Sequence, residues 1–139
     1  MAYKTPTLAD FNKLSTIQEK MVLLLDNTIK YYSEDTKRRA MNGEGKCYYR
    51  VGKKACAIGR FLTVDKAEFC DQQMNNAVGG IYGHLPFILA QFDKEFLKEI
   101  QALHDKKEYW NDKAGLTKDG HSKYIDIKRN FKLQGISLC

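Results

Sequence analysis

Two stretches of the chain repeat apolar residues at the spacing of one helix face, and this constrains the fold more than any other feature. In the first, Ile17, Met21, Leu24, Leu25, Ile29 and Tyr32 recur three or four residues apart. In the second, Phe96, Leu97, Ile100, Leu103 and His104 do the same, while Lys94, Lys98, Glu99, Lys106 and Lys107 fall on the opposite side. A helix with one apolar stripe has to bury it against another element, so both must pack. The first has a start signal: Thr16 and Glu19 form a capping box ahead of a helix over about Ile17 to Ser33. Asp93 caps the second, over about Lys94 to Tyr109. A shorter helical turn, Leu8 to Leu14, precedes the first. Asp65 is placed to cap a helix over about Lys66 to Asn76, with Ala67, Cys70 and Met74 on one face. A last helix over about Lys123 to Leu133 takes Ser122 as cap and Gly135 as terminator, and uses Tyr124, Ile127 and Phe131; a strand through Tyr124-Ile125-Asp126-Ile127 is the rival reading.

Between the helices lies one β-prone region. Lys46 to Val51 and Ala55 to Ile58 flank Gly52-Lys53-Lys54, which reads as a hairpin. Alternation puts Cys47, Tyr49 and Val51 on one face and Tyr48 with Arg50 on the other. Residues 35–45 and 111–121 read as loops, and so does the glycine-rich Ala77 to Pro86, which matches no phosphate-binding motif. A lone hairpin is marginal in water, so helices must cover it. The expected fold is α+β: about four helices packed on a small antiparallel β-hairpin. With 139 residues, the chain is expected to be a single domain, 1–139, with a short flexible N-terminus and a C-terminal tail.

Charge is unevenly spread. Residues 37–60 carry eight basic groups against one acidic group, net +7, whereas residues 61–119 are net −3 and the whole chain is +6. Such a local field favours anionic partners. Arg38, Arg39, Arg50, Lys53, Lys54 and Arg60 supply the charge, and Tyr48 and Tyr49 supply flat faces for stacking. Basic groups interleaved with aromatics suit a nucleotide or a nucleic-acid strand. The ligand-binding set is therefore Tyr48, Arg50, Lys53, Lys54 and Arg60, with Arg38 and Arg39 beside them. An acidic protein surface is the other partner such a field attracts.

The cysteines fall at 47, 56, 70 and 139, without the close pairs of structural zinc sites. A metal held by Cys47, Cys56 and His104, with or without Asp105, is not selected by the spacing, and no cofactor motif is present. The start, Met1 to Pro6, does not read as a signal peptide, and no apolar run approaches a membrane span. The expectation is a cytoplasmic protein with reduced thiols, no membrane partner and no Cys47–Cys56 bridge. A second function class is a cysteine-dependent hydrolase with Cys56 or Cys47 as nucleophile and His104 as base. Asp105 is a poor orienter for His104 in this reading, because adjacent side chains on a helix diverge by about 100°. A third class is a structural or assembly component that forms homo-oligomers.

Cys47-Tyr48-Tyr49-Arg50, Cys56-Ala57-Ile58-Gly59, Ile100-Gln101-Ala102-Leu103-His104-Asp105 and Trp110, taken in order, resemble a group of small bacterial proteins associated with bacteriophages and prophages. The resemblance spans about residues 46–110. It carries no activity and gives no residue a role. It implies a protein acting in the cytoplasm of the host cell, in a phage or mobile-element context. Small accessory proteins of that kind counter host defence by binding a host protein or sequestering a signalling nucleotide.

Overall fold

The local signals that start helices are made by short side chains, and the computed structural model shows which of them succeed. It describes residues 5–39, 48–51, 54–73, 77–136 and 138. The chain divides into two compact units, one of residues 1–36 and 108–139, the other of residues 37–107. Among the described residues there are seven α-helices and one two-stranded antiparallel sheet, so the architecture is mostly helical α+β. That is more helices than the four the periodicity predicts. The additional ones are single turns of four or five residues, too short to carry a periodic stripe.

In the 1–36/108–139 unit, helix α1 spans Leu8–Asn12 and α2 spans Ile17–Glu34. Both open with a capping box, Thr7 with Asp10 and Thr16 with Glu19. The hydroxyl and the carboxylate satisfy two helix-end N–H groups reciprocally. The α2 stripe is buried at Met21, Leu24, Leu25 and Tyr32, and the Tyr32 ring meets the Trp110 ring edge-on at 5.9 Å. Helix α7 spans Lys118–Asn130, earlier than the Ser122 cap predicts. Thr117 is the cap instead: its hydroxyl accepts from the Gly120 N–H at 3.1 Å, and its own N–H donates to Tyr109 O at 2.9 Å. Gly120 therefore belongs to the helix, where a Cβ would stand 2.1 Å from Tyr109 O. The helix ends before Gly135. Lys132 adopts φ 58°, and the N–H groups of Lys132 and Leu133 return to Arg129 O and Lys128 O, a Schellman closure.

In the 37–107 unit, strand β1 is Arg50–Val51 and β2 is Lys54–Ala55, paired Arg50 to Ala55 and Val51 to Lys54. The second strand is shorter than Ala55 to Ile58. From Cys56 the chain turns into a 3-10 segment, Gly59–Phe61, because the Cys56 Sγ accepts from the Gly59 N–H at 3.1 Å and Cys56 O accepts from the Arg60 N–H. Helix α3 spans Val64–Asp71, capped by Thr63 rather than Asp65; the Thr63 hydroxyl accepts from Lys66 N at 3.2 Å. Ala67 and Cys70 are buried on its inner face, and Met74 lies outside the described residues. The stretch read as a glycine-rich loop is wound into α4, Val78–Ile81, and a 3-10 turn, Tyr82–His84. Val78 and Ile81 are buried and α4 packs on α6. Helix α5 is Phe87–Ala90 and α6 is Lys94–Asp105, shorter than the stripe to Tyr109 predicts; Lys107–Tyr109 is a 3-10 turn. Phe96, Leu97, Ile100, Leu103 and His104 are all fully buried. No described helix is long and apolar enough to cross a membrane.

Candidate functional site

The C-terminal end of α6 leaves carbonyls with no partner within the helix. Arg39 closes them: Nε donates to His104 O at 2.7 Å and Nη2 donates to Asp105 O at 2.8 Å. The rigid guanidinium fork suits two adjacent acceptors, and its charge lies at the negative end of the helix. Arg39 is thus buried and committed to the fold rather than displayed on a basic face.

His104, fully buried, has its Nδ1 2.7 Å from Asp105 Oδ1. This overturns the expectation that the two side chains diverge. Asp105 is the last residue of α6, so its side chain is free of the next turn and folds back onto the ring. A carboxylate only accepts, so this hydrogen bond puts the ring proton on Nδ1. Burial holds the His104 pKa below its ordinary value of 6.5; Asp105 pulls it up, while Arg39 and Arg60 push it further down.

Gln101 lies one turn before Asp105 and ties α6 to the Cys56 turn. Its Nε2 donates to Asp105 Oδ1 at 2.7 Å and its Oε1 accepts from Ile58 N at 3.4 Å. Gly59 sits in the same turn, where a Cβ would stand 1.9 Å from Tyr49 O, so only glycine fits. Cys56 is fully buried, and burial pushes its thiol pKa strongly upward. That opposes the thiolate a hydrolase nucleophile needs. Cys56 and Cys70 are free thiols; Cys47 and Cys139 lie outside the described residues. Among the described residues, no three His, Cys, Asp or Glu side chains converge as metal ligands.

Above this framework opens a cleft of about 330 Å³. Tyr48 and Tyr49 form one wall, Lys98, Gln101 and Asp105 of α6 another, and Asp71 joins them at the end of α3. Ala77, Val78 and Ala102 supply apolar surface. Asp71 fixes the tyrosine wall: its carboxylate accepts from Tyr49 N at 2.8 Å and from Arg50 N at 3.4 Å. Tyr49 is buried, and burial raises its hydroxyl pKa, with nearby Cys56, Cys70, Asp105 and Asp71 acting in the same direction.

The predicted ligand-binding residues differ in their exposure. Tyr48 lines the cleft, Arg50 follows it on β1, and Lys54 is exposed on β2. Arg60 is buried with its guanidinium 5.1 Å from the Phe61 ring centre, and Arg38 is half-buried. Lys53 lies outside the described residues. The Arg50 Nε is shielded from solvent and meets no acceptor among the described residues. Sequence reasoning missed Asp71, Lys98 and Gln101. Gln101 and Asp105 are four apart on a helix and so were visible as a pair, but nothing local points Asp71 at a strand more than twenty residues upstream. No protein-family model, curated protein or solved structure matches the chain.

Proposed function

We propose that the protein is a non-enzymatic binding protein that takes an anionic partner at the cleft and hairpin of the 37–107 unit. The observation that carries this reading is the Arg50 Nε, a guanidinium donor withdrawn from water with no acceptor among the described residues. Such a donor costs free energy until an acceptor reaches it, and an anion is the acceptor a guanidinium binds best. Tyr48 precedes it at the cleft, exposed Lys54 stands on the paired strand, and the surrounding segment is net +7. The resemblance to phage-associated proteins supports the setting: an accessory protein in the host cytoplasm that holds a signalling nucleotide, a nucleic acid or an acidic host protein.

The test is binding of ATP and of a labelled single-stranded oligonucleotide, each titrated at low and high salt. Arg50→Ala is expected to weaken binding more than Lys54→Ala, because the planar fork grips an oxyanion bidentately. The melting temperature should move little in either variant. Full binding by the Arg50→Ala, Lys54→Ala double variant sinks the reading. Rapid alkylation of Cys56 in the folded protein would favour the thiol hydrolase instead. A concentration-dependent mass with no anion bound would favour an assembly component.

A further inference from the structure

We propose that the outer side of α7, in the 1–36/108–139 unit, is a docking surface for double-stranded nucleic acid, held through its phosphates. The proposal is independent of the cleft and hairpin of the other unit. The inner side of the helix is set by burial and one anchor. Gly120 and Ile127 are buried, and the Tyr124 hydroxyl donates to Asp26 Oδ1 at 2.7 Å. At 3.6 residues per turn, Lys118, His121, Ile125 and Lys128 then form one row along the outer side, spaced by three, four and three. Lys118, His121 and Ile125 are exposed and Lys128 is half-buried. Lys132, also exposed, follows just past the helix end. Residues 118–132 hold five basic groups against two acidic ones, net +3.

The acids are kept to one side of this row. Asp119 and Asp126 are seven apart and share the adjoining side of the helix. Asp126 accepts from Arg129 Nη2 at 2.6 Å, which neutralises that carboxylate and commits Arg129 to it. Among the described residues, no carboxylate pairs with Lys118, Lys128 or Lys132. Like charges lined up in this way repel one another, and a polyanion relieves the repulsion. Part of the row is also held in place. The anchored Tyr124 ring carries the His121 ring at 6.1 Å and the Lys128 ammonium 5.5 Å from its centre. A side chain already positioned loses less freedom when it meets a phosphate.

Two features choose among polyanions. Single strands are held by open aromatic faces on which bases stack. The Tyr124 ring is half-buried and already met by His121 and Lys128. Among the described residues of α7, Ile125 is the one large apolar side chain left exposed. A membrane-bound helix needs a broad apolar face, and a protein interface needs an apolar centre. What remains is a rigid line of cations about 20 Å long. It suits a stiff duplex, which carries one negative charge about every 1.7 Å along its axis. Lysines that meet phosphates position the duplex without reading its sequence.

The test follows the fluorescence anisotropy of a labelled DNA duplex of two helical turns, titrated with the full chain from low to physiological salt. Log affinity should fall against log salt with a slope of about −2 to −3, as for three phosphate contacts. The Lys118→Ala, Lys128→Ala, Lys132→Ala triple variant should bind at least about tenfold more weakly at low salt and lose most of that slope. The same three lysines changed to arginine should keep both, and circular-dichroism melts check the fold of each variant. Should the alanine variant melt early, Lys118→Glu carries the test, because an acid suits a helix start; it should weaken binding severalfold. The Arg50→Ala, Lys54→Ala variant should bind the duplex as the parent does. Duplex binding lost in that variant and kept in the lysine triple moves the duplex to the hairpin and overturns this proposal. A single strand of equal length that competes better than the duplex overturns it too. So does polyglutamate, or a phosphatidylserine vesicle, that binds as tightly as the duplex and is lost in the same triple variant. No duplex binding at low salt overturns it outright and leaves the reading of the cleft to its own test.

Discussion

Among the described residues, the 1–36/108–139 unit buries two polar side chains, Thr28 and Thr36, both neutral. The 37–107 unit buries Arg39, Arg60 and His104. Neutral hydroxyls are easily satisfied by nearby carbonyls: Thr28 donates to Leu24 O one turn back, and Thr36 donates to Asp112 O. Charged or titratable groups cost far more to withdraw from water and need several partners at once. The unit that carries them is also the one with the tyrosine-walled cleft. The difference teaches that one unit holds its chain by caps and apolar burial, whereas the other concentrates ionisable groups in its interior, a pattern common at functional sites.

The largest effects are expected where the two units are alike. Gly59 in one and Gly120 in the other each face a main-chain carbonyl, at Cβ distances of 1.9 and 2.1 Å. Backbone cannot swing aside as a side chain can. Gly59→Ala and Gly120→Ala should each cost more than about 4 kcal/mol in denaturant unfolding, the range reserved for severe steric mechanisms. For Gly120 this comes in spite of alanine's better helix propensity. Gly79→Ala, with nothing within 4 Å, should stay within about 1 kcal/mol of the parent. A mild Gly120→Ala would show that α7 can shift away from Tyr109.

The buried polar groups separate the units next. Arg39→Ala removes two charge-assisted bonds and leaves carbonyls at the α6 end without their donors, which should cost about 2–4 kcal/mol. Arg39→Lys should recover little, since an ammonium lacks the fork. Thr28→Ala should cost only about 1 kcal/mol, because it removes one neutral bond. Equal losses for Arg39→Ala and Thr28→Ala would erase the contrast between the two interiors.

Acid should also act through the 37–107 unit. His104, faced by Asp105, Arg39 and Arg60, has a folded-state pKa below 6.5. As pH falls below about 6.5, the unfolded chain takes up a proton that the folded protein refuses. This contribution to stability is therefore complete above that pH and lost below it, until the lower folded-state pKa is reached. One such proton gives a slope of at most about 1.4 kcal/mol per pH unit. Urea unfolding from pH 7.5 down to about 5 should show the fall, and His104→Gln should flatten it. A slope that His104→Gln leaves unchanged would assign the acid sensitivity elsewhere.

The smallest expected effect is favourable and lies in the other unit. Lys132 occupies the left-handed position of the Schellman closure after α7, where a Cβ is strained. Lys132→Gly should raise stability by up to about 1 kcal/mol in the same unfolding assay. A loss would mean that the lysine side chain contributes more than the backbone strain costs.

The sequence by itself determined α2 from its Thr16–Glu19 box onward, and the buried face of α6. Caps act within three residues and stripes repeat every three or four, so the governing interactions are local and visible in order along the chain. It also marked residues 37–60 as basic and aromatic. Only the tertiary structure decided which of those basic residues serve the interior and which the surface. Arg39 finds its acceptor at His104, 65 residues away, and Tyr49 is fixed by Asp71, 22 residues away. The same distance rule hid Gly120, whose reason for being glycine is the Tyr109 carbonyl across a turn. A charged side chain looks the same in sequence whether it faces water or a helix end, because its partner is set by packing rather than by its neighbours.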